Sequence, residues 1–293
     1  MRLDGQSESG NVEDRRGQGG RRPPMLMGGG VTGLLLLALV VYLKGGGLGD
    51  FVKLAVQQQK AQPQIEHRRA DPNAAPDPEE EELKKFVGIV LKDTEDVWTK
   101  VFSENGGKYQ QPKLILFSGF VQSACGGASS AVGPFYCPGD ANVYLDLEFY
   151  KDLDRKFGAK GDFAQAYVVA HEVGHHVQNL LGITEKVDAM RGGPKANEFS
   201  VRLELQADYL AGVWAFHANK MRDMLEQGDV EEAMNCAKQI GDDTLQKRAQ
   251  GYVVPDSFTH GTSVQRTRWF TKGLKSGSLK GAEELFAIPY QDL

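Results

Sequence analysis

Residues 164–181 read AQAYVVAHEVGHHVQNLL, and this stretch decides the fold around it. Its apolar residues recur at helical spacing, so the segment predicts a helix that is largely buried. His171 and His175 stand one turn apart on that helix, and their side chains therefore lie on the same face. Glu172 is the next residue after His171 and is turned by about 100° around the helix axis. The pattern predicts two imidazoles and a neighbouring carboxylate carried into the protein interior.

Two imidazoles at this spacing can bind one metal ion. Zinc accepts histidine nitrogens at ~2.0–2.1 Å, and catalytic zinc sites usually supply three protein ligands and leave one position for water. Glu172 is then placed as a general base for a zinc-activated water, and Gly174 is expected to leave space beside the metal. The alternative is a chance match on an ordinary helix. Unpaired His and Glu would, however, be costly to bury in so apolar a segment.

A third ligand is expected on a second helix packed beside the first. Glu204 and Asp208 are one turn apart in a segment rich in Leu, Ala and Trp, so both carboxylates need partners when buried. Glu204 as the metal ligand, with Asp208 accepting the N–H of a ligating histidine, would satisfy both. Asp208 as the ligand itself is the alternative.

The remaining pattern predicts an α+β domain that is mostly helical, with a small antiparallel or mixed sheet. Strands are predicted at 113–117 and 142–147 and, besides an opening amphipathic helix, further helices at 163–181, 198–218, 230–240 and 264–275. The strand at 142–147 precedes the histidine helix, and it is either the sheet edge along which a peptide binds or an interior strand.

The N-terminal third has a different composition. Residues 25–43 carry no charge and are long enough to span a bilayer, which predicts a transmembrane helix; a cleaved signal peptide or a buried helix are the alternatives. Arginines before this stretch predict a cytoplasmic tail at 1–24 and a periplasmic or extracellular location for the rest. The Pro-, Gln- and acid-rich residues 44–82 predict a disordered linker. The folded domain is expected at 83–293.

Charge and cysteine content exclude several classes of protein. The formal net charge of -5 argues against a nucleic-acid partner. Cys125 and Cys137 flank a Gly/Ser-rich loop and are predicted to form a disulfide in an oxidising compartment. Cys236 is expected to be a small buried apolar residue. A cysteine-based zinc site has little support, because no CxxC spacing occurs.

With both metal motifs placed, the chain resembles the glutamate-zincin metallopeptidases, and more closely a bacterial family of neutral zinc metallopeptidases. The match is carried by the histidine helix and by residues 11–17, 125–138, 143–146, 204–208 and 257–261. The resemblance implies that Glu204 is the third ligand and that Asp208 orients a ligand histidine.

A second element of the resemblance concerns His260. The Thr259-His260 pair followed by Arg266 is similar to a Thr-His…Arg element of integral-membrane prenyl-protease-like zinc peptidases. It implies that His260 donates a hydrogen bond to the oxyanion formed at the scissile carbonyl. The alternative is a turn residue, with Thr262 or Ser263 capping the next helix.

Together these observations predict a membrane-anchored zinc metallopeptidase. Its partners would be a peptide or protein substrate and, through one N-terminal helix, the membrane. A zinc-dependent amidase of envelope peptides and a catalytically silent, metal-stabilised scaffold are the alternatives. An intact Glu172 argues against the scaffold, because zinc binding alone does not require it.

Overall fold

A four-stranded mixed sheet and a set of helices packed beside it make up the α+β fold, as the sequence predicts. The structure is a computed structural model, and it describes residues 1–17, 77–156, 158–254 and 258–293. The strands are β1 Val12–Asp14, β2 Lys113–Phe117, β3 Phe120–Ser123, β4 Gly126–Ser129, β5 Phe135–Cys137 and β6 Asn142–Asp146. The helices are α1 Pro78–Glu104, α2 Glu148–Arg155, α3 Asp162–Leu180, α4 Ile183–Asp188, α5 Ala196–Arg222, α6 Asp229–Gln239, α7 Asp242–Gln250, α8 Ser263–Ser276 and α9 Lys280–Ala287.

The sheet has the strand order β1-β2-β6-β5. β1 and β6 both run parallel to β2, whereas β5 is antiparallel to β6. β3 and β4 form a separate antiparallel pair. Of the two alternatives for the strand at 142–147, the interior strand is the one observed, because β6 has a neighbour on each side. Among the described strands, β5 forms that edge of the sheet.

Residues 1–17 pack into the same domain and do not form the separate tail that the sequence predicts. β1 pairs with β2 in the register Val12 to Leu114. The Met1 ammonium lies 2.9 Å from Asp162 at the start of α3 and 3.3 Å from Asp229 of α6. Backbone pairing ties the segment to the sheet, and these ion pairs tie it to the helices of the domain.

The structure contradicts the predicted single-pass topology and the localisation drawn from it. One crossing within residues 25–43 would put β1 and β2 on opposite sides of a bilayer, yet the two strands are hydrogen-bonded neighbours. In the part of the chain that the structure describes, no helix combines the length and the apolar character needed to traverse a membrane. The segment predicted as a transmembrane helix itself lies outside the described residues, as do residues 18–24 and 44–76 of the predicted tail and linker.

The acidic run before residue 83 begins a helix. Asp77 caps α1 by accepting the backbone N–H of Glu79 at 3.0 Å, and Pro78 takes the first helical position, where its missing N–H costs nothing. Acidic residues in the first turn stabilise the positive end of the helix dipole. Residues 77–82 therefore belong to the folded domain and are not linker.

Helices α3, α5 and α8 meet in the core and carry the residues of interest. Side chains at Gly212 of α5 and Gly273 of α8 would overlap the backbone of the opposite helix, at Phe270 and Tyr209 respectively. Glycine at both positions therefore lets α5 and α8 cross at close range. This crossing lies one turn beyond Asp208 on α5 and two turns beyond Arg266 on α8, and it holds those two side chains together.

Candidate metal centre

His171 and His175 lie on one face of α3, and Glu204 of α5 faces both rings. Glu204 Oε2 is 3.3 Å from Nε2 of His171, and its Oε1 is 3.5 Å from Nε2 of His175. One ligand atom from each of the three side chains falls within 4.8 Å of the others. Two atoms bound at ~2.0–2.1 Å to a tetrahedral ion stand roughly 3.4 Å apart. The two imidazole nitrogens and the carboxylate thus have the chemistry and the spacing of a zinc ligand set.

Because α3 packs closely on α5, the Glu204 carboxylate reaches the rings of both His171 and His175. A Cβ at Gly174 would lie 3.0 Å from the carbonyl oxygen and 3.2 Å from Cα of Ala207. Gly174 therefore faces the backbone of α5. The expectation that it leaves space beside the metal is wrong; its missing side chain instead sets the distance between the two helices.

Asp208 lies on the Nδ1 side of His171, away from the nitrogen that faces Glu204. Its Oδ1 accepts the Nδ1–H of His171 at 2.8 Å and a hydrogen bond from the Tyr167 hydroxyl. Arg266 donates through Nε to Oδ2 at 2.8 Å and through a terminal nitrogen to Oδ1 at 2.9 Å. With its acceptor positions taken by these donors, Asp208 is oriented to hold a ring. The geometry favours the first of the two roles considered for it.

The charges of the cluster follow from these contacts. Burial raises the pKa of Asp208, but Arg266 and His171 outweigh it and hold that pKa at about 2. Burial also raises the pKa of Glu204, and the His175 and His171 rings outweigh it and keep the pKa well below its ordinary value. Both carboxylates are ionised at neutral pH. Burial lowers the pKa of His171, but Asp208 and Glu204 raise it to about 10.

Nδ1 of His175 contacts an amide rather than a carboxylate. Gln178 Oε1 lies 2.8 Å from Nδ1 of His175, and Gln178 Nε2 donates to the Leu203 carbonyl at 2.6 Å. Gln178 is fully buried. Each of the two rings thus has an acceptor at Nδ1, which leaves Nε2 directed toward Glu204.

Glu172 borders the same cavity as the two histidines. Its side chain is 8% exposed, and no hydrogen bond or ion pair to its carboxylate is found within the described ranges. A carboxylate in that position costs free energy unless it meets water or a ligand in the cavity. Glu172 is therefore free to exchange protons with a molecule bound there.

His260 also lines the cavity and is held by Asp242 at the start of α7. One Asp242 oxygen accepts the backbone N–H groups of Thr259, His260 and Gly261, and the other lies 3.0 Å from Nδ1 of His260. The hydrogen bond that His260 donates to Asp242 outweighs burial and raises the pKa of His260. Thr262 caps α8, as the alternative reading proposed, but this does not remove His260 from the cavity.

The cavity has a volume of about 710 Å³ and separates α3 from a wall formed by β5 and the turn before it. That wall contributes Pro134, Phe135 and Tyr136. Cys137 ends β5 and forms the predicted disulfide with Cys125, with 5.8 Å between the two Cα atoms. The disulfide links the end of β5 to the turn between β3 and β4. Cys236 is buried and unpaired, as predicted.

The sequence reasoning missed Tyr167, Gln178 and Asp242. Tyr167 precedes His171 by four positions and Gln178 follows His175 by three, so helical spacing could have identified both as neighbours of the rings. Asp242 has no such signal. It reaches His260 through a tertiary contact between α7 and the loop before α8.

Comparisons with known proteins identify a family and several relatives of this chain. The profile of a family described as "Putative neutral zinc metallopeptidase" matches residues 1–284. "Uncharacterized protein YpfJ" of Escherichia coli K12 is 49% identical over 285 residues, which cover 94% of this chain and 96% of that protein. "Uncharacterized protein Rv2575" of Mycobacterium tuberculosis H37Rv is 45% identical over 179 residues, or 58% of this chain and 60% of that protein. No solved structure matches the chain.

Proposed function

The chain belongs to the neutral zinc metallopeptidase family, and on that premise we propose that it is a zinc-dependent peptidase that hydrolyses peptide bonds. The observation that carries the proposal is the position of Glu172, a nearly buried carboxylate without a described partner, on the same cavity as the His171, His175 and Glu204 cluster. A metal-stabilised scaffold needs the cluster alone. A hydrolase also needs a base beside it.

His171 and His175, through their Nε2 atoms, and Glu204 would hold the zinc ion. Zinc, when bound, supplies Lewis-acid activation of water and of the scissile carbonyl. Asp208 fixes the ring of His171 and stabilises its positive charge as electron density is drawn from the imidazole. The buried Arg266 balances the charge of Asp208, so that the ion pair remains neutral inside the core.

Glu172 would act as the general base. Its carboxylate takes a proton from the attacking water and passes that proton to the nitrogen of the leaving amine. The absence of a described partner suits this role, because a carboxylate already engaged in an ion pair would be a weaker base.

His260 would stabilise the oxyanion that forms when water adds to the carbonyl. Asp242 accepts at Nδ1, so His260 can donate through Nε2 only as the imidazolium. The raised pKa of His260 favours that protonated form. Asp242 therefore supports both the orientation and the charge that the role requires.

The substrate would be an extended peptide that binds along β5. The outer edge of β5 has no strand partner among the described residues, and the strand borders the cavity. An added strand would gain backbone hydrogen bonds there. Replacing single backbone amides of a peptide substrate by esters should then raise KM roughly five- to tenfold at each hydrogen-bonded position. No change at any position would contradict this binding mode.

The decisive experiment compares wild type and Glu172→Gln in zinc content and in cleavage of casein and a mixed peptide pool. We expect stoichiometric zinc in both proteins and a loss of about 10²- to 10⁴-fold in kcat for Glu172→Gln. Glu231→Gln, an exposed acid on α6, is the matched control and should retain full activity. His171→Ala and Glu204→Ala should lose zinc.

Each failure has a different meaning. Stoichiometric zinc without cleavage that depends on Glu172 would favour the scaffold. Zinc retained in Glu204→Ala but lost in Asp208→Ala would show that the third ligand is wrongly assigned. Cleavage of non-peptide amides alone would point to the amidase.

A further inference from the structure

We propose that Gln178 is a positioning residue that fixes the tautomer and the ring orientation of His175 for metal binding. This inference rests on the proposed zinc site, and it concerns how this chain prepares the second of its two imidazoles. The first imidazole, His171, donates its Nδ1–H to Asp208, which orients the ring. The three metal ligands by themselves do not explain how the ring of His175 is oriented.

The contacts of Gln178 reach both helices of the cluster. Gln178 follows His175 by three positions on α3, so the two side chains are neighbours on the helix surface. Its Oε1 is 2.8 Å from Nδ1 of His175, and its Nε2 is 2.6 Å from the carbonyl oxygen of Leu203 on α5. The side chain is 0% exposed. The Gln178 end of each hydrogen bond is therefore shielded from water.

The Leu203 carbonyl decides which way the amide faces. A backbone carbonyl can only accept, so the NH₂ group of Gln178 must be the end that meets it. The amide oxygen is then directed at His175 and must accept a proton from Nδ1. In the neutral ring, Nε2 consequently carries the lone pair, and Nε2 is the atom that faces Glu204 at 3.5 Å. One backbone carbonyl thereby sets the tautomer of a ring on the neighbouring helix.

Of the side chains considered, only an amide satisfies both partners at this position. A carboxylate could accept from His175 but could not donate to Leu203 while ionised, and an apolar side chain could do neither. Leu203 immediately precedes Glu204, so the same amide also ties α3 to the turn of α5 that carries the third ligand. Orientation of His175 and spacing of the two helices are coupled through this one side chain.

The test uses variants that separate the two hydrogen bonds. Gln178→Met removes both, whereas Gln178→Glu keeps the acceptor for His175 and removes the donor to Leu203. Gln206→Met is the matched control, because Gln206 is a buried glutamine of α5 that donates to the Ala282 carbonyl at 2.8 Å. Zinc affinity is measured by competition with a chromophoric chelator, and the thermal midpoint Tm is measured on the metal-free proteins.

We expect all three variants to lower Tm of the metal-free protein by about 2–4 °C, since each loses a buried hydrogen bond. Zinc affinity should separate them. Gln178→Met should bind zinc about 10- to 100-fold more weakly, while Gln178→Glu and Gln206→Met should stay within about threefold of wild type. Long-range ¹H–¹⁵N spectra should show His175 protonated at Nδ1 in wild type and in Gln178→Glu, and as a mixture of tautomers in Gln178→Met.

Several results would overturn the inference. Wild-type zinc affinity in Gln178→Met would exclude a positioning role, as would zinc affinity that merely follows Tm across the three variants. If Gln178→Met does not fold, an Nε2-protonated His175 in wild type or in Gln178→Glu would exclude it. Failure of the wild type itself to bind zinc would instead reject the proposed function, and the role of Gln178 with it.

Discussion

Gly174→Ala should weaken the metal site by moving one helix against another. A Cβ at this position would approach the carbonyl oxygen of Ala207 at 3.0 Å and its Cα at 3.2 Å. Ordinary contacts between carbon atoms are about 3.5–4.0 Å, so the α5 backbone must retreat by roughly 0.3–0.8 Å. Residue 174 immediately precedes His175 and faces Ala207, about one turn after Glu204 on α5. The displacement therefore acts directly on the distances within the ligand set.

The effect on stability is a difference between two contributions of similar size. Overpacking costs about 1–3 kcal/mol, and alanine is more favourable than glycine in a helix by about 1 kcal/mol. We expect the free energy of unfolding of the metal-free Gly174→Ala protein to fall by about 0–2 kcal/mol. Catalysis is more sensitive, because a misplacement of ~1 Å costs on the order of 10²-fold. A loss of roughly tenfold in kcat, with weaker zinc binding, should follow.

Gly88→Ala is the matched control. Gly88 is also a buried helical glycine, but the atoms nearest to an added Cβ belong to the side chain of Glu8, the closest at 3.3 Å, and not to a helix backbone. This variant should be stabilised by up to about 1 kcal/mol and should bind zinc like wild type. Urea unfolding and chelator competition on both proteins provide the comparison. The argument is refuted if Gly174→Ala gains as much stability as Gly88→Ala and binds zinc with unchanged affinity.

Three further predictions concern the surroundings of the site. Arg266→Met leaves the carboxylate of Asp208 buried without its cation, and it should lower the free energy of unfolding measured in urea by about 3–5 kcal/mol. Asp242→Asn should shift the alkaline limb of the pH profile of kcat/KM to lower pH. Asp242 raises the pKa of His260, and the active imidazolium is present below that pKa and is lost as pH rises through it. Removing the charge of Asp242 lowers the pKa of His260, so activity should be lost at a lower pH. Cys125→Ser opens a disulfide that joins residues 12 positions apart, and thermal unfolding should show a loss of about 3 kcal/mol in the chain-entropy model.

Each of these predictions has a clear contrary result. An unchanged free energy of unfolding in Arg266→Met would mean that the remaining hydrogen-bond donors to Asp208 are enough to stabilise its buried carboxylate. A pH profile unaffected by Asp242→Asn would remove His260 from the oxyanion role. Equal stability of wild type and Cys125→Ser under oxidising conditions would show that the bridge does not constrain the unfolded chain.

The sequence alone determined the features that depend on local periodicity. The predicted helices at 163–181, 198–218, 230–240 and 264–275 correspond to α3, α5, α6 and α8 within a few residues at each end. Helix geometry also puts residues four positions apart on one face, and for that reason the pairing of His171 with His175 could be predicted. The disulfide between Cys125 and Cys137 was predictable because the two cysteines flank one short loop.

Only the tertiary structure decided the features that depend on which elements become neighbours. The pairing of β1 with β2 joins residues about a hundred positions apart, and it turned the predicted tail into part of the sheet. The sheet order made β5 rather than β6 the edge strand, and the approach of α5 to α3 gave Gly174 its role. Periodicity specifies which face of an element is buried, but it contains no information about which backbone that face will meet.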